Sequence, residues 1–347
     1  MSDRLQAIEQ WLREDVGLQV ESVEPASEDA SFRSYLRVRL PDGETRIVMD
    51  APPEKEAVEP FVDVAERLKA AGLNVPEVHA RDPEQGLLLL TDLGEQLYLD
   101  ALNAESVERL YGDAMGALAA LQVCGPREGD LPDYDEAKLR EELELFPEWF
   151  LKGHLGVELN DSERGDLEAV FATLLESALE QPRAAVHRDY HSRNLLVSEH
   201  NPGIIDFQDA VIGPVTYDLV SLLRDVYIAW PPEQVEDWAL GYMDLALQSG
   251  ILKEDDLVPS GQTEGRIRAM EQGFLRWFDL MGVQRHLKVA GIFARLNHRD
   301  GKAHYLNDLP LTLEYLEAVA GRYPELEGLH ALLRDKVLPA VRERAAG

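Results

Sequence analysis

The sequence predicts an α+β protein with a small β-rich N-terminal lobe and a larger helical C-terminal lobe, and three observations carry that expectation. Before residue 92, apolar residues alternate at Leu36, Val38 and Leu40 and run unbroken through Leu87-Leu88-Leu89-Leu90, as strands do. Beyond residue 93 the apolar spacing lengthens to the helical period. One short hairpin pattern, Leu195-Leu196-Val197 against Gly203-Ile204-Ile205, interrupts the helical part. The expected division is 1–92 and 93–347.

Each element has a local reason. Leu5, Ile8, Trp11 and Leu12 share one face of an opening helix, and Ala26 to Tyr35 reads as a polar loop. Leu36, Val38 and Leu40, alternating with Arg37 and Arg39, give a half-buried strand; Asp42-Gly43 is a hairpin turn, and Thr45 to Met49 is the partner strand. Pro52-Pro53 breaks the chain. Val58, Phe61, Val62, Ala65 and Leu68 mark a helix that stops near Gly72, and Gly86 to Leu90 is a buried strand leading into Thr91-Asp92-Leu93-Gly94. Val107 to Leu121 keeps helical period, and further helices are expected at about 136–151, 162–180, 216–229, 233–249 and 262–297.

Composition narrows the function classes. With 347 residues and 45% apolar content the chain can bury a sizeable core. The single cysteine, Cys124, excludes a disulfide within the chain and reads as a small buried hydrophobe. A net charge of −31 argues against nucleic acid or an anionic membrane as partner. No run of eighteen apolar residues appears, and the opening MSDRLQAIEQWLRED has no apolar stretch or cleavage pattern, so a cytoplasmic protein is expected.

The chemistry is concentrated at His187-Arg188-Asp189-Tyr190-His191-Ser192-Arg193-Asn194, followed by Ile204-Ile205-Asp206-Phe207. This is H-x-D-x-x-x-x-N, then an aspartate ending an apolar run, the layout of a phosphotransferase site. Ser198 to Pro202 is turn material, and a hairpin centred near His200 places Asn194 opposite Asp206. Two hard oxygen ligands at that separation can hold Mg2+ on the phosphates of ATP, while Asp189 takes the proton of an acceptor hydroxyl. His187 is expected to pack and fix the loop. A strand-rich lobe, a short hinge and a helical lobe carrying this loop form a protein-kinase-like bilobal arrangement, with ATP in the cleft.

On these residues the chain resembles the aminoglycoside phosphotransferase/choline kinase family over nearly its whole length. His191 stands two residues after Asp189, as in that small-molecule branch, and Asp206-Phe207-Gln208 reaches Gly213-Pro214-Val215-Thr216-Tyr217-Asp218 without room for a long activation segment. The resemblance implies that Asp218 steadies the catalytic loop. Three segments, Asp29 to Tyr35, Met49 to Glu54 and Gln284 to Leu296, are similar to the anomeric kinases for N-acetylmuramate and N-acetylglucosamine of cell-wall recycling. That similarity implies phosphate transfer from ATP to the C1 hydroxyl of an amino sugar.

The chain departs from the family pattern in two places. It has no glycine-rich loop in the first lobe, where Ser31 and nearby backbone amides are expected over the phosphates. Met49 stands where the strand lysine aligns, and Arg33 is the candidate phosphate cation, with Arg46 and Lys55 nearby and Glu56 or Glu59 as candidate helix acid. The Thr91-Asp92-Leu93 backbone is the expected adenine contact. For the sugar, His191 and an arginine fork to a lactyl carboxylate (Arg224, Arg276 or Arg295) are candidates, with Trp230, Trp277 or Tyr305 as stacking rings. A kinase of another hydroxyl compound, such as an aminoglycoside, choline or a different sugar, and a non-catalytic nucleotide-binding scaffold are the alternatives.

Overall fold

The alternation around Val38 does place one face of a sheet against the opening helix. In the computed structural model, which describes residues 2–28, 33–258 and 264–346, the chain forms two units: Met1–Ala120 with Arg193–Asp209, and Leu121–Ser192 with Ala210–Gly347. In chain order come α1 (Ser2–Glu14), β1 (Ser22–Glu28), β2 (Ser34–Arg39), β3 (Thr45–Asp50), α2 (Glu59–Ala70), β4 (Val78–Asp82), β5 (Leu87–Thr91), α3 (Tyr98–Ala101) and α4 (Val107–Cys124). Then follow α5 (Glu136–Leu143), a π-helical turn (Phe146–Leu155), α6 (Asp161–Leu179), β6 (Arg183–Val186), β7 (Leu195–Leu196), β8 (Gly203–Ile204) and β9 (Val211–Pro214). The remainder is helical: α7 (Tyr217–Leu223), α8 (Pro232–Gln248), α9 (Glu254–Leu257), α10 (Arg266–Asp300), α11 (Leu309–Ala320), α12 (Glu327–Leu332) and α13 (Leu338–Ala346).

The first unit is built on a five-stranded antiparallel sheet in the order β1-β2-β3-β5-β4. The Asp42-Gly43 turn sets the β2–β3 register, pairing Leu36 with Val48 and Tyr35 with Met49. Gly43 has φ +86°, a value that favours glycine. Val38, Val48, Leu87 and Leu89 pack under Ile8, Trp11 and Leu12 of α1, each contributing roughly 1.5–3 kcal/mol of burial. Arg4 fixes that helix to the sheet by pairing with Asp50 at 2.5 Å and donating to the Gln85 carbonyl at 2.6 Å.

One part of the expected polar loop is strand instead. Residues Ser22–Glu28 pair with β2, with a bulge between Pro25 and Ser27. Pro25 cannot donate to a ladder, which an edge strand tolerates. The segment 29–32, including Ser31, lies outside the described residues.

In the second unit the 35-residue α10 is central and buried on most sides from Trp277 to Ala294, as a helix surrounded by others must be. It starts at Arg266 and runs to Asp300, ended by Gly301 at φ +71°; residues 262 and 263 lie outside the described residues. Gly291 permits a close approach here, since a Cβ would fall 2.4 Å from the Leu145 carbonyl carbon. Three expectations are corrected. The helix expected over 136–151 ends at Leu143 and resumes as the π-helical turn, because Pro147 at its start cannot donate to the α-helical ladder. The helix expected over 216–229 stops at Leu223, and the next residues turn away to serve the side-chain contacts of Arg224 and Asp225 described below. Cys124 is exposed rather than buried, because it ends α4 on the solvent side.

Candidate active site

The loop after β6 belongs to the second unit and is held through its backbone by buried side chains. Asp218, fully buried at the start of α7, accepts the backbone N–H groups of His187 at 2.6 Å and Arg188 at 3.0 Å. Burial pushes the Asp218 carboxyl up to about 6, against the opposing pull of His187 and those two N–H groups. The buried His187 accepts the Asp189 N–H on Nδ1 at 3.3 Å and meets Tyr190 edge-on. Asp225 accepts the Ser192 N–H at 2.9 Å. These bonds enforce a left-handed backbone at Arg188, φ +77°, a conformation that costs a non-glycine residue about 1–3 kcal/mol.

Beneath the loop lies a buried charge network that individual sequence motifs did not single out. Glu142 of α5 takes Arg188 at 2.5 Å and Lys288 of α10 at 3.1 Å, and the Tyr134 hydroxyl donates to it. Burial would raise the Glu142 carboxyl, yet Lys288 and Arg188 hold it below its ordinary range. Lys288 also donates to the Tyr217 hydroxyl at 2.9 Å. Arg285 donates to the Arg188 carbonyl at 3.0 Å and lies 3.7 Å from Asp189 Oδ1. Burial would raise the Asp189 carboxyl too, but Lys288 and Arg285 keep it well below the usual carboxylate range. The only sequence signal for these cations was the Gln284 to Leu296 segment, noted as a whole.

The first unit carries the oxygen pair. The β7–β8 hairpin pairs Leu195 with Ile204 and Leu196 with Gly203, so the backbone partner of Asn194 is Ile205, whose N–H it accepts at 3.1 Å. The expected register, Asn194 opposite Asp206, is off by one residue. Asp206 nevertheless reaches Asn194, because its left-handed backbone (φ +64°) turns the side chain back, and Asn194 Nδ2 donates to Asp206 Oδ2 at 3.2 Å. Gln208 donates to Asp206 Oδ1 at 2.8 Å. Phe207 packs on Phe61 of α2 with ring centroids 4.8 Å apart. The chain thus joins the oxygen pair to the helix that follows Glu56. One amide oxygen and one carboxylate are hard donors of the kind magnesium takes from protein alongside phosphate.

Elsewhere in the first unit, Met49 is fully buried in β3. Arg33 is buried and ion-paired with Glu56, and its charge is also favoured by Tyr35 and Asp206. Glu59 is exposed, and Arg46 pairs with Glu44 at 2.8 Å. At Thr91-Asp92-Leu93, Thr91 still pairs with Arg46 in the sheet. Asp92 is taken by Arg37 at 2.6 Å, and Leu93 lies against Gly203 of the hairpin.

The acceptor-side candidates of the second unit do not converge equally. His191 meets Tyr227 edge-on at 5.4 Å; its Nδ1 is buried without a hydrogen-bond partner, and burial pushes the imidazole down to about 4. Arg224 forms a buried ion pair with Asp279, and Arg276 pairs with Glu325 at 2.5 Å. Arg295 has no ion pair among the described residues; burial and Arg299 lower its pKa, and its Nε is buried without a hydrogen-bond partner. Trp277 donates to Glu180 at 2.6 Å, Trp230 meets Trp238, and Tyr305 packs on Phe293.

A family model described as the phosphotransferase enzyme family matches residues 22–249, the segment that carries the loop, the hairpin and Asp218. The chain belongs to this phosphotransferase family. It is 50% identical over 309 residues to a Pseudomonas aeruginosa protein named N-acetylmuramate/N-acetylglucosamine kinase, covering 89% of this chain and 87% of that one. A Pseudomonas putida protein of the same name is 44% identical over 342 residues, 96% of each chain. Among solved structures, the phosphotransferase is similar to the aminoglycoside phosphotransferase APH(2'')-Ib with ADP bound, at a TM-score of 0.56 and 14% identity, covering 89% of this chain and 97% of that one. At that identity the likeness is one of fold, and it bears out the α+β, protein-kinase-like class. No helix among the described residues is long and apolar enough to cross a membrane.

Proposed function

We propose that this chain is an ATP-dependent, cytoplasmic kinase that phosphorylates the anomeric (C1) hydroxyl of N-acetylmuramate and N-acetylglucosamine in peptidoglycan recycling. One observation carries the reading: identity of 44% and 50% to kinases named for both sugars, over 96% and 89% of the chain. Residues 1–92 are assigned to nucleotide binding and 93–347 to the catalytic loop and the sugar.

In this reading Asp189 orients the C1 hydroxyl and accepts its proton as the oxygen attacks the γ-phosphorus of ATP in line. The γ-phosphoryl–oxygen bond to ADP breaks as the new O–P bond forms. A carboxylate held well below its usual range is ionised throughout, which suits orientation of a hydroxyl whose proton leaves late. The transition state is loose, so catalysis comes mainly from positioning and charge neutralisation. Asn194 and Asp206 would hold magnesium, which when bound would neutralise charge on the phosphates. Asn194 lies five positions after Asp189, a span of at most about 18 Å even when fully extended, which supports their acting on one phosphoryl group.

Arg33, braced by Glu56, contacts the phosphates in place of the strand lysine, alongside the Ser31 segment. The Thr91-Asp92-Leu93 backbone meets the adenine. His191 faces the sugar, and Arg295, having no ion pair among the described residues, is favoured over Arg224 and Arg276 for the lactyl carboxylate.

Steady-state ADP release with N-acetylmuramate, N-acetylglucosamine, glucose, kanamycin and choline tests the substrate class. Turnover with both N-acetylated sugars is expected; turnover confined to kanamycin or choline would overturn it. Asp189→Ala should abolish turnover and leave ATP binding in place, and phosphate transfer surviving that change would remove Asp189 from its role.

A further inference from the structure

Three cations of the second unit surround the catalytic loop, and two of them share the carboxylate of Glu142. Arg188 and Lys288 each reach its carboxylate, at 2.5 and 3.1 Å. Arg285 does not. Its side chain is 5% exposed, and among the described residues the one carboxylate within 4.0 Å is that of Asp189, at 3.7 Å. Its hydrogen bonds go to neutral acceptors, the Arg188 carbonyl at 3.0 Å and the Tyr217 hydroxyl at 3.4 Å, and the guanidinium lies 5.5 Å from the Tyr217 ring centroid. A buried guanidinium is costly unless a charge offsets it. Here the nearest offsetting charge is on the group that must receive a proton.

The carbonyl contact matters equally. Arg188 adopts φ +77°, immediately before Asp189. Asp218 holds the N–H side of that turn and Glu142 holds the Arg188 side chain. Arg285, ninety-seven positions along the sequence, donates on the carbonyl side.

We infer that Arg285 is a positioning residue for phosphoryl transfer, clamping the left-handed turn at Arg188 through its carbonyl and aiming the Asp189 carboxylate. Lys288 is a foundation for Glu142, whereas Arg285 acts on the loop itself. The loop-clamping part is independent of the substrate; the kinetic consequence rests on the kinase reading above.

The test uses the full chain with Arg285→Met and Arg285→Lys, read by amide hydrogen exchange and by kinetics. In Arg285→Met, exchange of peptides spanning 187–192 should accelerate about tenfold or more, with β2–β3 peptides unchanged. Its kcat should fall roughly 100-fold with KM for ATP within about threefold, the pattern of a misaimed base. Arg285→Lys keeps the charge but cannot serve both contacts, so an intermediate loss of about tenfold is expected. The acid limb of kcat should move upward in Arg285→Met. The charges then facing Asp189 are Lys288 from α10 and Arg188 from the loop, beside the imidazole of His191, one cation fewer. Wild-type loop exchange together with wild-type kcat in either folded variant would overturn the inference, as would a loss confined to KM. If Arg285→Met does not fold, Arg285→Lys carries the same readouts. If the wild-type protein phosphorylates no amino sugar, the substrate reading fails, while the exchange data still decide whether Arg285 clamps the loop.

Discussion

Replacing Asp218 with asparagine should separate stability from activity. The carboxylate accepts two loop N–H groups, at 2.6 and 3.0 Å. Asparagine can accept one of them and turns an NH2 group toward the other, a loss of about 1.5–3 kcal/mol. Against this, burial raises the carboxyl from 3.8 to about 6, so holding it ionised at neutral pH costs about 3 kcal/mol, and asparagine escapes that cost. The two effects nearly cancel, leaving the variant within about 1–2 kcal/mol of wild type at pH 7.5. Because the folded value lies above the unfolded one, the stabilisation Asp218 gives is fully present below its unfolded pKa and is lost as pH rises through about 6. Between pH 5 and pH 7.5 wild type should therefore lose about 1–2 kcal/mol relative to the asparagine variant. Urea unfolding followed by tryptophan fluorescence at both pH values measures this. Activity should behave differently, with kcat falling about 10- to 100-fold as the loop before Asp189 loosens. A variant that loses more than about 4 kcal/mol at neutral pH and shows no pH-dependent difference would refute the electrostatic reasoning. An unchanged kcat would refute the loop-holding role.

Other substitutions probe the remaining contacts. Asp206→Ala should lower kcat by about 1000-fold and raise the magnesium needed for half-maximal rate, because Asn194 alone is a weak ligand; a magnesium titration checks it. Arg33→Met should raise KM for ATP about tenfold with little change in KM for sugar, as loss of one phosphate cation would. Arg295→Met should weaken N-acetylmuramate by about tenfold in KM and leave N-acetylglucosamine, which has no carboxylate, unchanged; equal effects on both sugars would return the role to another residue.

What the sequence disclosed was whatever depends on short spacing. Asp189, Asn194 and Asp206 stood out because a loop and a hairpin place them within eighteen consecutive residues. The hairpin register lies one residue from the expected one, and the left-handed backbone that returns the Asp206 side chain to Asn194 is invisible to strand periodicity. Residues contributed from afar were harder to see. Glu142, Arg285 and Lys288 meet the loop only because α10 packs against α5 and α7, and each looks like an ordinary helix charge in one dimension. The end of α7 was missed for a related reason. Its apolar period continues past Leu223, but Arg224 and Asp225 are drawn to Asp279, Ser192 and Tyr227, and those contacts outweigh helix propensity. Arg33 shows in the sequence only as a cation near the position of the missing strand lysine, and its burial beside Glu56 depends on the fold.

The central claim is transfer to the anomeric oxygen, and phosphorus NMR of the product made from N-acetylmuramate, ATP and magnesium tests it most directly. The expected result is a single new phosphate resonance coupled to the C1 proton of the sugar, absent with Asp189→Ala. A resonance coupled to the C6 protons, or ATP consumption without a sugar phosphate, would contradict the account.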